Sequence, residues 1–508
     1  MNKRFPIYLL VGMLCASVLF SCNKDNEDVI LADSLISSTA VTEFSLKENA
    51  DVLENLDTVF FTIDLEKAEI YNADSLPMGT DVSNLCIKMT YVACSSAEFH
   101  VKGGKWMKDT TFVYKSGDSI DFTGDVKFTI ISQDLSATRT YDIKVNVHKV
   151  KPDSLSWGLM ARRNLPAFKQ DELVSQKTVQ YDGKLYCLVN QGDSYVLSTT
   201  SHPGEDAWET TKVDFTFVPK NETFTATDNA LYIMDENNAL YTSVDGFTWA
   251  ECGLTLYSIL GTYDDRVLGV VKVGDTYKHM EYPTRSTFVS TEVAPSFPVE
   301  GVSQMVTLDS KWAVDKQRIV VGGVTASGTY LCDSWGYDGN NWGKISHKSN
   351  LPEMKGVTLF TYNYTHFDPE SWITYEYPAL FAVGGTMSDG DLDRDMVYIS
   401  TDNGISWGVG NESLFLPEYI EPFTGAQAFV YNTTFTDNGA RSGENYGWIE
   451  MPSSKMPVGY RYQSRATVAV TSWECPYIYL FGGTNGNGVL YNNIWRGVIN
   501  RLTFKPLY

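Results

Sequence analysis

Short runs of alternating hydrophobic and polar residues, bounded by Gly, Asn and Asp, recur along almost the whole chain. Val126, Phe128 and Ile130 alternate with polar neighbours, the turn Gln133–Thr138 follows, and Tyr141, Ile143, Val145 and Val147 alternate again. A period of two puts such side chains on one face of a strand, so each run predicts a half-buried strand and each pair of runs a hairpin. Other runs are apolar throughout and end in a glycine pair: Ile319–Gly323, Phe381–Gly385 and Tyr479–Gly483. After residue 21 no long segment carries the apolar spacing of an amphipathic helix. The pattern predicts an all-β protein. Composition agrees, because 12 Trp, 30 Tyr and 25 Phe beside 39 Gly favour strands and tight turns over helices.

The first residues follow a different rule. Lys3 and Arg4 precede the apolar run Phe5–Phe20, and Ser21 stands directly before Cys22. Residues 1–21 therefore read as a secretory signal peptide, too short in its apolar part for a transmembrane span. Cys22 resembles the lipidated cysteine of bacterial lipoproteins, which implies attachment to the outer membrane through lipid, facing the periplasm or the cell surface. Residues 22–42 form a polar tether, and its opening Asn23–Asp28 is either a solvated linker or the acidic export flag seen in Bacteroidetes lipoproteins. Residues 43–150 carry strand patterns at Thr58–Asp64, Leu85–Val92 and the closing hairpin, and are similar to small Ig-like β-sandwiches.

From Pro152 onward the chain repeats itself. Trp157-Gly158, Trp342-Gly343 and Trp407-Gly408 are each followed by a Leu-Pro pair, at Leu165, Leu351 and Leu416. Each glycine pair is followed by a loop and then by Asp333-Ser334-Trp335, Asp395-Met396-Val397 or Asn493-Ile494-Trp495. This succession resembles the kelch repeat and implies that residues 151–508 form a β-propeller, the glycines serving a crowded turn near its axis. Units beginning near residues 167, 214, 254, 300, 351 and 417 predict six blades, or seven if Tyr446–Met451 adds one. Trp157 has no blade before it in sequence and is expected on the outer strand of the last blade, so that both ends of the segment close the ring.

Ser400, Asp402, Gly404, Ser406 and Trp407 match the Asp-box of sialidase-type propellers, and Ser243, Asp245, Gly246 and Trp249 repeat it with one residue fewer. The resemblance implies a hairpin turn: Asp and Ser side chains bind backbone, Gly takes positive φ, and Trp packs on a neighbouring blade. It does not imply catalysis, since the arginines fall in no recognisable sialidase set. A copper site of the galactose oxidase kind finds no paired histidines among His100, His148, His202, His279, His347 and His366.

Three candidate features remain. Asp389, Asp391 and Asp393 alternate in a loop after Gly385, as calcium ligands or as a solvated acidic loop. Tyr362, Tyr364, Trp372, Trp448, Tyr460 and Tyr462 lie in long insertions, where they line a ligand groove or cap the blades. Cys86 and Cys94 are a disulfide candidate or two separate thiols. Charge narrows the partners: the net charge is −22, and −24 without residues 1–21, which repels nucleic acid and anionic lipid headgroups. Chain and charge together resemble Bacteroidetes envelope lipoproteins, predict a non-enzymatic binder of a glycan or an envelope protein, and call for no cofactor. A glycan-active hydrolase or lyase is the alternative, and it requires carboxylates converging on a propeller face.

Overall fold

The computed structural model describes residues 35–72, 75–148, 151, 153–159, 164–171, 173–205, 207–308, 316–368, 373–393, 396–436 and 472–500. Among them, the only helical pieces are two single 3₁₀ turns, Leu56–Thr58 and Glu412–Leu414. No helix among the described residues is long and apolar enough to cross a membrane. The chain divides into two units, Met1–Ser75 with Thr80–Asn146 and Leu76–Gly79 with Val147–Tyr508.

The first unit holds a three-stranded sheet of Val41–Leu46, Leu85–Tyr91 and Ser119–Ile120. Its six-stranded sheet runs in the order Thr62–Asp64, Glu69–Tyr71, Thr138–Lys144, Asp125–Ser132, Cys94–Lys102, Asp109–Val113. Alternation decides what is inside: Val126, Phe128 and Ile130 are buried, as are Tyr141 and Ile143 on the paired strand. The two sheets meet where the Tyr91 ring lies 5.5 Å from that of Phe128. Tyr141 ties down the start of the unit, donating to the Thr39 carbonyl at 3.0 Å and accepting from the Val41 amide at 3.2 Å. Cys86 and Cys94 are free thiols.

Among the described residues the second unit forms six sheets of three to five strands, with two short two-stranded pairs between them. Their first strands are Ser175–Tyr181, Pro219–Ala226, Ser258–Tyr263, Val306–Leu308, Thr358–Asp368 and Gln427–Thr436. Each packs near the start of the sheet that follows, and Gln427–Thr436 returns to Ser175–Tyr181, so the sheets form a closed ring with their first strands innermost. Polar side chains bridge the inner wall. Gln427 Oε1 accepts from Gln176 Nε2 and from the Thr178 amide, both at 2.9 Å, and Gln304 Nε2 donates to the Ala428 carbonyl at 2.7 Å. The third sheet has three named strands, but its edge is not bare: the His279 amide donates to Thr291 and the Val293 amide to Tyr277, each at 2.9 Å.

The sixth sheet joins the two ends of the unit. Its order is Gln427–Thr436, Ser472–Phe481, Ile494–Asn500 and then Ser154–Leu159, with Trp157 opposite Gly497. A Cβ on Gly497 would stand 2.6 Å from the Trp157 ring, so the indole lies flat over a position that admits no side chain.

Two of the three glycine pairs have a reason other than crowding at the axis. A Cβ on Gly322 would meet the Met354 carbonyl at 2.6 Å, one on Gly384 the Phe423 carbonyl at 2.7 Å, and one on Gly482 the Gln176 side chain at 2.4 Å. In the first two cases the close neighbour is the chain entering the next sheet, and the Gly323 and Gly385 amides bond to it at 2.9 and 2.8 Å. All six residues of the pairs have positive φ, which only glycine adopts without cost.

The closure makes a test with its own control. Gly497→Val forces the Trp157 ring off its strand and is expected to destabilise the protein by about 1–3 kcal/mol. Gly343→Ala, where a Cβ meets nothing within 4 Å, should leave the denaturant midpoint unchanged. Equal midpoints for the two variants would count against the closure.

Candidate functional site

The string at 400–407 is spent on its own backbone. Asp402 Oδ1 accepts from the Ser400 hydroxyl and the Ser406 amide at 2.8 and 2.9 Å, and Oδ2 accepts from the Ser406 hydroxyl. The Gly404 amide donates to Ser400 Oγ at 2.8 Å with φ +86°. Trp407 is buried between the fourth and fifth sheets and donates from Nε1 to Ser334 Oγ at 2.7 Å. Ser243, Asp245, Gly246 and Trp249 repeat the arrangement: Asp245 Oδ1 accepts from the Phe247 and Thr248 amides at 2.8 Å, and Trp249 Nε1 donates to the Gly246 carbonyl at 3.1 Å. Backbone donation from Thr248, then Phe247, holds the Asp245 carboxyl at about 2. At Asp402 burial works the other way, but the Ser406 hydroxyl and amide and the Ser400 hydroxyl outweigh it and its pKa is lowered. These carboxylates are turn clamps, each accepting several hydrogen bonds from its own turn. An open depression of about 370 Å³ passes over Asn350, Ile399, Thr401, Ser406 and Gly408, but the Trp407 ring beneath it is 3% exposed.

The aromatic candidates separate. Tyr362 is a core residue, which corrects its placement in a ligand loop. Its ring is 4% exposed and its hydroxyl donates to the Pro476 and Ile499 carbonyls at 3.1 and 3.3 Å; burial pushes its pKa upward. The reason is that the presumed insertion is an extension of two paired strands, Thr358–Asp368 and Ile373–Val383, in which alternate residues turn inward. Tyr364 is half-buried with its ring 5.7 Å from that of Tyr377. Trp372, Trp448, Tyr460 and Tyr462 lie outside the described residues, as does Cys22. Asp389 and Asp391 are exposed, Asp389 Oδ1 accepting from the Asp391 amide at 3.0 Å, while Asp393 is buried. Among the described residues no three His, Cys, Asp or Glu side chains converge as a metal site.

One arginine set is assembled by the fold without showing in the sequence. Glu281, fully buried, pairs with Arg266 at 3.1 Å and Arg285 at 2.9 Å. Arg318 lies over the Tyr263 ring at 5.7 Å. Burial would raise the Glu281 pKa, but the Arg285 side chain and amide hold it below the ordinary value. Glu281 therefore occupies the place that a substrate carboxylate would need.

A different cleft is open. Tyr419, Ile420, Glu421, Phe423, Leu480, Gly482, Tyr491, Asn493 and Trp495 enclose about 190 Å³ at the junction of the fifth and sixth sheets. Two features build it. The chain leaving the fifth sheet carries Tyr419 past the closing strand, where its hydroxyl donates to the Trp157 carbonyl at 3.0 Å. The strand Ile494–Asn500, held by that closing strand, presents Trp495, whose ring centroid lies 5.7 Å from that of Tyr419 at 35°. Tyr419 is 58% exposed. Tyr491 is committed, donating to the Pro422 carbonyl at 3.1 Å, and burial together with the adjoining Glu421 pushes its pKa up to about 12. The Glu421 carboxylate is exposed, and neither Trp495 Nε1 nor the Asn493 carboxamide bonds to a described residue. The rim thus offers two rings, one carboxylate, one carboxamide and one indole N–H. Sequence reading used Asn493 and Trp495 only as repeat marks; Tyr419, on a connecting segment far from them, carried no periodic signal.

A closed ring of sheets, each with its first strand innermost, defines a β-propeller. The chain belongs to the DUF6242 family: the DUF6242 beta propeller domain matches residues 151–507 and the DUF6242 N-terminal domain, a domain of unknown function, matches residues 16–145. No curated protein matches the chain. Among solved structures it is similar to YCF48 bound to D1 peptide, at 11% identity over 60% of this chain and 82% of that one, with a TM-score of 0.28. It is also similar to the N-terminal domain of Nup159, at 10% identity over 91% and 98% with a TM-score of 0.30. For YCF48 from Cyanidioschyzon merolae the values are 8%, 80%, 96% and 0.28.

Asp402→Ala should cost about 1–3 kcal/mol of stability, through the lost turn bonds, with ligand binding retained in the folded protein; lost binding at full folding would contradict the clamp role. Asp245→Asn tests the same turn by pH. A carboxyl at about 2 in the folded chain and about 4 when unfolded stabilises fully above pH ~4 and loses that contribution as pH falls through 2. The gap in unfolding midpoint between wild type and Asp245→Asn should therefore close between pH ~4 and ~2; a constant gap would be the wrong result.

Proposed function

We propose that this protein is a non-enzymatic, lipid-anchored lipoprotein of the bacterial outer membrane that binds a glycan in the Tyr419–Trp495 cleft. The observation that carries the reading is the pairing of two exposed-edged aromatic rings with a carboxamide and an indole N–H that bond to nothing else in the described chain, beside the exposed Glu421 carboxylate. Aromatic faces take the apolar face of a sugar ring, while convergent donors and acceptors take its hydroxyls. About 190 Å³ is the volume share of about six waters, room for one sugar ring rather than a folded oligomer. The alternative of a hydrolase needs a second carboxylate within reach of the first; Glu421 is the only one lining the cleft.

In the same reading, Cys22 carries the lipid, the first unit is an Ig-like module following the tether, and each of the six sheets is one blade of a kelch-like propeller with Asp-box turns. Two features support the six-bladed count: one first strand per sheet in the ring, and residues 290–293 standing in for the missing outer strand of the third.

The test is a glycan array probed with residues 23–508 and with Trp495→Leu, each checked for folding by its melting temperature. Wild-type binding to a defined set of glycans that falls at least about tenfold in a folded Trp495→Leu protein is expected. Binding that survives the substitution, or release of a cleaved product, would overturn the reading.

A further inference from the structure

We propose that the cleft selects a neutral pyranose and rejects acidic sugars, an inference that rests on the cleft being the glycan site. Of its nine lining residues, none is Lys, Arg or His, and the only formal charge is the Glu421 carboxylate. The nearest basic residue in sequence, Arg496, follows Trp495 on the same strand, and successive side chains of a strand leave on opposite faces. Arg496 accordingly lies over the Tyr477 ring at 4.5 Å, on the side of the sheet that packs against the first one. Arg266 and Arg285 are bound to Glu281 in a different part of the ring. Among the described residues, a sugar carboxylate entering the cleft would meet one anion and no cation.

The same residues suit a neutral ring. The Glu421 carboxylate shares the Tyr491 hydroxyl with the Pro422 carbonyl, and its remaining lone pairs can accept from sugar hydroxyls, in charge-assisted bonds stronger than neutral ones. Asn493 and Trp495 Nε1 supply donors for ring and hydroxyl oxygens, and the Tyr419 and Trp495 rings take the C–H face. The net charge of −22 adds a repulsive field against any polyanionic glycan.

The experiment titrates residues 23–508 with methyl glucoside, methyl galactoside and methyl mannoside and with the three corresponding methyl uronides, by calorimetry at low salt. It is repeated on Glu421→Gln and Trp495→Leu. At least one neutral glycoside should bind, its uronide at least about tenfold more weakly, and Glu421→Gln should narrow that ratio by strengthening the uronide. Added salt should narrow the wild-type ratio as well. Uronide binding equal to neutral binding, or a ratio unmoved by Glu421→Gln, overturns the selectivity. If either sugar class binds and Trp495→Leu abolishes it, the cleft stands whatever becomes of the selectivity; if nothing binds, or Trp495→Leu changes nothing, the cleft reading itself falls and the selectivity with it.

Discussion

The ring is closed by one strand laid against one glycine. Ser154–Leu159 pairs with Ile494–Asn500 across more than three hundred residues of chain, and the fit of Trp157 over Gly497 sets its register. Antiparallel pairing repeats every two residues, so a slip of one would turn Trp157 to the other face and Gly497 away from it. Both walls of the cleft depend on this register. Tyr419 is anchored on the carbonyl of Trp157, and Trp495 is opposite Leu159. The candidate site is thus a by-product of closure: the place where two chain ends must meet is also where side chains from distant segments are forced together.

The same device recurs around the ring in weaker form. Trp208, Trp249, Trp342 and Trp407 stand at or next to the start of outer strands, and each packs against the sheet before its own, as Trp157 does. A tryptophan at the edge of one sheet covers the face of another, so the sheets are held in sequence by contacts that no single sheet could make. The aspartate clamps at Asp245, Asp338 and Asp402 fix the turn directly before three of these rings, each accepting from backbone amides. A turn that is rigid at the right place aims a large side chain at the neighbour, which explains why the string is repeated without being catalytic.

Strands with one buried face were legible because a period of two survives in the sequence, as in Val126–Ile130 and Tyr141–Val147. The all-β class and the propeller followed from such periods and from the Trp-Gly and Gly-Gly repeats. What the sequence hid was hidden for physical reasons. Phe360, Tyr362 and Tyr364 carry the same period of two, but the run extends past the ordinary strand length and so looked like an insertion. The glycine pairs at 322–323 and 384–385 serve contacts with the next unit's entering chain, a long-range demand that no local pattern shows, while Gly482 makes room for Gln176 on the inner wall. Tyr419 becomes a neighbour of Asn493 and Trp495 only once the ring is assembled, and no spacing announces it; Arg266, Glu281 and Arg285 meet around one hairpin, where the spacing of four between Glu281 and Arg285 does not show that the carboxylate is buried.

In the proposed function a ligand meets the protein at Trp495 beside the closing strand, and the indole N–H signals report on that contact. The chain has 12 tryptophans, and their indole resonances can be followed by heteronuclear NMR while a glycan selected on the array is added, with Trp495→Phe identifying one of them. The Trp495 signal is expected to move in a saturable way while those of the buried Trp157 and Trp407 stay in place. A Trp495 signal that does not move at saturating ligand, with the shifts elsewhere on the ring, would contradict that contact.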